Sequence, residues 1–153
     1  MTPNELLPIL WTTSVIAVST LIYAVLMRVK LRHLPEIGLG AGMTFLIFAL
    51  LDHFGWSLIL SNAVAALAAT IYGEIMARLQ KAPVSIYAIP SIIPLVPGGS
   101  LYYTMAALMN GDNAEFMRRG SDTLMIALGI AIGIISVSVI AVFLPRPGFR
   151  KHK

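Results

Sequence analysis

The residues able to do chemistry in this chain are few. There is no Cys among the 153 residues, which excludes disulfides, thiolate metal sites and cysteine nucleophiles. The three histidines, His33, His53 and His152, lie far apart and make none of the spacings that hold a metal ion. No metal and no other cofactor is expected. Glu74 is read as the acidic residue inside an apolar run, where an ionisable group is a candidate for function, here proton coupling. The plainer reading pairs it with Arg78, four residues on in the favourable order, both reaching the membrane surface. Thr70, one turn earlier, would be its nearest polar neighbour on that face. Asp52 beside His53 could relay protons, although a solvated turn is the favoured account of the pair. About 30 Å separates the ends of a twenty-residue helix, so Asp52, His53 and Glu74 cannot share one catalytic site, and no enzyme is expected.

A denser signal lies in the backbone itself. The segment VSIYAIPSIIPLVPGGSLYYTMAALMN, Val84 to Asn110, carries Pro90, Pro94 and Pro97 followed directly by Gly98 and Gly99. Each interior Pro costs roughly 3 kcal/mol in a helix and each Gly about 1, so a straight helix here is excluded. Pro has no N–H, which leaves the carbonyls of Ile86, Pro90 and Ile93 open. Inside a bilayer such backbone persists only against protein or a water-filled cavity. The half before the break ends in carbonyls, and the half after it begins in N–H groups, with Ser100 as the expected N-cap. One end suits a cation or ammonium, the other a carboxylate. Tyr102, Tyr103 and Thr104 would add hydroxyls. Pro94, Pro97, Gly98, Gly99, Ser100, Tyr102, Tyr103 and Thr104 are therefore the candidate substrate-binding residues, near the bilayer midplane where transporters bind. A helix kinked only to fit its neighbours is the structural alternative.

The elements that must hold this break are themselves legible. The chain is 58% hydrophobic and 12% charged, with a mean hydropathy of +0.83, whereas soluble domains are about a quarter charged. It reads as an all-α integral membrane protein. A bilayer core takes about 20 apolar residues per helix. The expected organisation is one transmembrane domain over 1–153, a bundle of about five helices at about 6–27, 37–51, 56–77, 84–109 (broken near 94–99) and 123–144. The short second span can extend back across Pro35 to Leu34. The first run lacks a basic leader and is too long for a signal peptide, so it is expected to stay.

Of the eleven basic residues, Arg28, Lys30, Arg32, Arg78, Lys81, Arg146, Arg150, Lys151 and Lys153 fall on one side of this scheme, and Arg118 and Arg119 on the other. The first group marks the cytoplasm, which puts the N-terminus outside and the C-terminus inside. Basic residues sit in loops rather than in a stripe, so no nucleic-acid partner is expected. Arg118 and Arg119 share their loop with Asp112, Glu115 and Asp122 and should pair with them. Small residues recur at Gly38 and Gly42, at Ser61, Ala65, Ala69 and Gly73, and at Gly129 and Gly133. They should let helices approach within the bundle, with a subunit interface as the alternative. Asn62 is expected to hydrogen-bond across helices.

The string PSIIPLVPGGSLYYT, Pro90 to Thr104, resembles the membrane segment of the threonine/serine exporter family, in the small-subunit branch where the exporter is divided between two chains. The resemblance extends to the Asn110-Gly111-Asp112 turn, the third span and the Gly-rich last helix, most of the chain beyond about Gly38. It implies a multi-pass protein of the bacterial cytoplasmic membrane, the small subunit of a secondary exporter of threonine and serine or of dicarboxylates such as succinate. It also implies a large subunit of the same family as partner, with a homo-oligomer as the alternative, and alternating access around Pro94 to Ser100. The rival expectation is a non-transporting membrane scaffold whose broken helix docks a partner.

Overall fold

The computed structural model describes residues 3–143, with side chains from Leu7 onward. The end of the last expected span at Leu144, the basic residues Arg146, Arg150, Lys151 and Lys153, and His152 lie outside the described residues. The apolar runs form helices α1 (Pro3–Leu26), α2 (Leu34–His53), α3 (Leu58–Gln80), α4 (Ser85–Ile92), α5 (Gly98–Met109) and α6 (Asn113–Phe143). Short 3₁₀ turns, Leu31–His33 and Ile93–Leu95, precede α2 and follow α4. No strand occurs among the described residues. Four helical segments, ending in α1, α2, α3 and α6, are long and apolar enough to cross a membrane. The pair α4–α5, bent by 46°, meets the same test when taken as one broken span.

Local chemistry sets the ends. Pro35 stands in the first turn of α2, where a missing N–H costs nothing, so the helix begins at Leu34. Gly55 and Gly111 take φ of +75° and +73°, the left-handed conformation that lets Trp56 N–H reach Leu51 O and Asp112 N–H reach Ala107 O. Asp112 then accepts the Glu115 N–H at 3.0 Å and caps α6. This corrects one expectation: α6 starts at Asn113 rather than near 123, because the charged stretch is capped and cross-linked into helix instead of looping. Thirty-one residues make a rod of about 46 Å against a hydrocarbon core of about 30 Å. The charged first turns therefore stand outside the core.

α1 packs on α2, α4 lies in the angle between α2 and α3, and α6 packs along α3. The small-residue seams serve these contacts. Gly38 and Gly42 face Leu21, Thr13 and Ala17 of α1, and a Cβ on Gly129 would lie 2.5 Å from the Ile59 carbonyl oxygen of α3. Gly133 faces the Ala63 carbonyl in the same way. The buried centre is built mainly from Ala24, Ile37, Ala65, Ala66, Ala69, Ala77 and Tyr87, while large apolar side chains face outward. That is the arrangement of a bundle whose surroundings are as apolar as its core. α5 stands apart: it packs on α6 and makes no extensive contact with α1 to α4.

Candidate functional site at the helix break

Pro90 lies within α4, and Pro94 opens the 3₁₀ turn that follows. The tighter turn lets Val96 N–H bond Ile93 O at 3.0 Å, so that carbonyl, expected to stay open, is satisfied. Val96 is extended, and Pro97, at φ −78° and ψ 51°, occupies the cap position of α5. Ser100 is thus not the N-cap. The fixed φ of Pro97 starts the helix at Gly98, and Ser100 sits inside the first turn, its carbonyl accepting from Thr104 Oγ1 at 2.8 Å. Leu95 anchors the break, buried with Ala65 and Ala66 and flanked by Ile47, Phe48 and Ile130. That level meets the first half of α3 at Ala65 and Ala66 and the middle of α6 at Ile130.

Beyond Leu95 the chain opens outward. Val96, Gly98 and Gly99 are exposed, and a Cβ at Gly98 or Gly99 would meet nothing within 4 Å. Tyr102 and Tyr103 are 69% and 54% exposed and lie edge to face at 5.4 Å. The Arg119 guanidinium sits 5.1 Å from the Tyr103 ring centre. Thr104 turns the other way; it is buried against α6, with its hydroxyl 3.4 Å from that of Thr123. A groove of about 490 Å³ opens beside them, between α5 and α6, lined by residues including Leu101, Thr104, Gly120 and Ser121. The structure thus brings Thr104 to Thr123 and leaves Gly98, Gly99, Tyr102 and Tyr103 on an open face.

The other candidates resolve individually. Glu74 is half-buried and pairs with Arg78 at 3.5 Å. Thr70 donates to Ala66 O at 2.7 Å rather than to Glu74. Asn62 bonds within its own helix, to Leu58 O at 2.8 Å, so the expected bond across helices gives way to a local one. Asp52 and His53 are exposed at the end of α2 and share no hydrogen bond. Glu115 does pair as expected, accepting from Arg118 Nε and Nη2 at 2.9 and 2.7 Å and from Arg119 Nε. The Arg118 bonds, with those of Arg119, hold its carboxyl down at about 2.

Two polar groups escaped the sequence reading. His33 is buried, and its Nδ1 lies 2.6 Å from Tyr87 Oη, while Arg32 Nε donates to Nε2 at 3.0 Å. Glu36 accepts from Gln80 Nε2 at 3.1 Å on Oε1, its carbonyl accepts from Tyr72 Oη at 2.6 Å, and Oε2 is buried without a partner. The available signal was two tyrosines, Tyr72 and Tyr87, inside apolar runs and away from their ends.

A sequence model of the family described as Threonine/Serine exporter, ThrE, matches residues 12–140, which take in the break and nearly all of the bundle. The chain belongs to the threonine/serine exporter family. A protein of Mycobacterium tuberculosis (strain ATCC 25618 / H37Rv), described as a probable threonine/serine exporter, is 26% identical over 146 residues. The match covers 95% of this chain and 27% of that relative, so the chain spans about a quarter of the exporter relative's length. No solved structure matches it.

Proposed function

We propose that the chain is the small subunit of a secondary exporter that carries threonine and serine, or a dicarboxylate such as succinate, out across the bacterial cytoplasmic membrane. The observation that carries this reading is the break after Leu95. Backbone there is irregular at membrane depth and open rather than packed, as only a surface meant for water, solute or a partner can be. The Gly99 and Ser100 amide groups in the first turn of α5 form the positive end of a helix dipole, suited to a carboxylate, while Gly98 N–H is held by Val96 O at 2.8 Å. Tyr102 and Tyr103 supply the adjoining hydroxyls. Because this face is open, the site is half of one, and the other half belongs to a large subunit.

In this proposal α4 and α5 cross the membrane as one broken span, since a 46° bend carries the chain onward instead of back. The N-terminus is outside and the C-terminus cytoplasmic. Alternating access moves α5 about the break relative to α4, which is held between α2 and α3, while α6 stays packed along α3. Glu74 is the carboxylate that would exchange its Arg78 partner for a proton during that movement. The open face equally suits a scaffold that docks a partner and moves nothing, and one experiment separates the two. Labelled threonine, serine and succinate are followed out of cells expressing the chain alone and with a large subunit. Efflux from the pair only is expected; no efflux in either case overturns the transport reading.

A further inference from the structure

Arg119 is the basic side chain that the early start of α6 brings to the broken span. Steps of four, three and four residues place Arg119, Thr123, Ile126 and Ile130 along one stripe of that helix. The stripe is tied to the break: Ile130 packs beside Leu95, and the Thr123 hydroxyl stands 3.4 Å from that of Thr104 in α5. At its other end the Arg119 guanidinium lies 5.1 Å from the centre of the Tyr103 ring, which meets Tyr102 edge to face at 5.4 Å. Both tyrosines are exposed. Tyr103 is one turn beyond Gly99 on α5, so the guanidinium and the first amide groups of that helix adjoin on the open face.

The neighbouring charges leave this guanidinium partly uncommitted. Arg118 grips both oxygens of Glu115, through Nε at 2.9 Å and Nη2 at 2.7 Å, a fork that balances the carboxylate by itself. Arg119 adds one bond to Glu115, from Nε. An arginine carries five N–H donors, and among the described residues neither Nη nitrogen of Arg119 has a hydrogen-bond partner. Asp122, the next acid along α6, acts on Arg118. The Arg118 side chain is 63% exposed and that of Arg119 only 37%, so Arg119 is the more enclosed of the two. We propose that Arg119 is a solute-binding residue, and that its two Nη nitrogens receive the carboxylate of the exported solute.

A carboxylate is the group that threonine, serine and succinate share. A guanidinium matches its two oxygens with parallel N–H donors, which a lysine cannot do. Glu115 and the Tyr103 ring hold the guanidinium in place, and the ring does so without using any of its donors. This inference rests on the transport reading above and adds the residue that selects the solute by its charge.

Efflux of labelled threonine from vesicles holding the exporting pair tests it, with unlabelled threonine and threoninamide, which lacks the carboxylate, as competitors. The wild type should prefer threonine. Arg119→Gln should raise KM about tenfold to a hundredfold, the worth of hydrogen bonds to a charged group, keep the maximal rate, and lose that preference. Glu115→Gln removes the same ion pair but keeps the guanidinium, so its KM should match the wild type. A wild-type KM and preference in Arg119→Gln overturn the proposal. An equal rise in Glu115→Gln does so too, because the ion pair rather than the guanidinium is then the cause.

Binding is read separately by magnetic resonance of the full chain in detergent with isotope-labelled arginine, the Arg119 Nε–H signal being the one missing in Arg119→Gln. Threonine and succinate should shift it, and threoninamide and chloride should not. No shift, or an equal shift with chloride, overturns the site. If the exporting pair moves no solute while the carboxylates still shift this signal, the transport reading fails and the carboxylate site stands.

Discussion

Gly73 of α3 and Ala88 of α4 touch at the limit of what backbones allow: a Cβ at position 73 would lie 2.8 Å from the Ala88 Cβ and 2.9 Å from its Cα and backbone nitrogen. This contact seats α4 on α3 and so fixes the lower side of the break. Gly73→Val must push α4 away, because the obstructing atoms include backbone, which cannot swing aside. A cost of about 1–3 kcal/mol follows from overpacking of this kind. A lowered midpoint of thermal unfolding in detergent, with export reduced in step, is expected.

Gly98→Leu and Gly99→Leu reverse that logic. With nothing within 4 Å of either position, a side chain strains no contact of the chain, and the variants should melt with the wild type. On the proposed function, export should nevertheless be lost, since the new side chain occupies the open face at the break. Normal efflux in both variants would take this face out of the mechanism.

The Glu115 cluster has a defined pH signature. Its carboxyl is held at about 2, below the ordinary value of 4.5, chiefly by the hydrogen bonds from Arg118 and then Arg119. A depressed folded-state value means stability that is fully present above the ordinary carboxylate range and lost as pH falls through the folded value. Wild type and Glu115→Gln should therefore differ in melting temperature near neutral pH and converge as pH falls from about 4.5 toward about 2. High salt should shrink the difference at neutral pH, because the cluster is at the surface.

Tyr87→Phe deletes the hydroxyl that meets His33 Nδ1 at 2.6 Å and leaves a buried ring nitrogen without a partner. A buried group stripped of its hydrogen bond costs about 1–3 kcal/mol. The expected outcome is a destabilised protein in which amide exchange quickens first in the turn from Leu31 to His33 and at the start of α4. Equal loss throughout the chain would show that the bond has no local role.

What the sequence made legible was what local signals carry. The apolar runs foretold α1, α2, α3 and α6, and three prolines with two glycines foretold the break between α4 and α5. The early start of α6 was missed because Glu115, Arg118 and Arg119 look like a loop until their three- and four-residue spacing is taken as helical pairing. Ser100 looked like a cap because cap preference ranks serine high, whereas the fixed φ of Pro97 begins the helix earlier. Glu36 and His33 were invisible for another reason. Their partners Tyr72 and Tyr87 lie 36 and 54 residues away in sequence, and only the folded bundle brings them together.

The eight residues of α4 and the twelve of α5 bear on how the protein is made as well as on how it works. Each falls short of the roughly 20 residues that cross a bilayer, so neither can partition into lipid by itself as it leaves the ribosome. α4 finds its companions already synthesised, since α2 and α3 precede it. α5 must wait for α6, the one helix on which it rests. On the proposed reading of α4 and α5 as one broken span, the two enter the bilayer together, and a chain that stops at the Gly111 turn would leave α5 there without the helix it packs on.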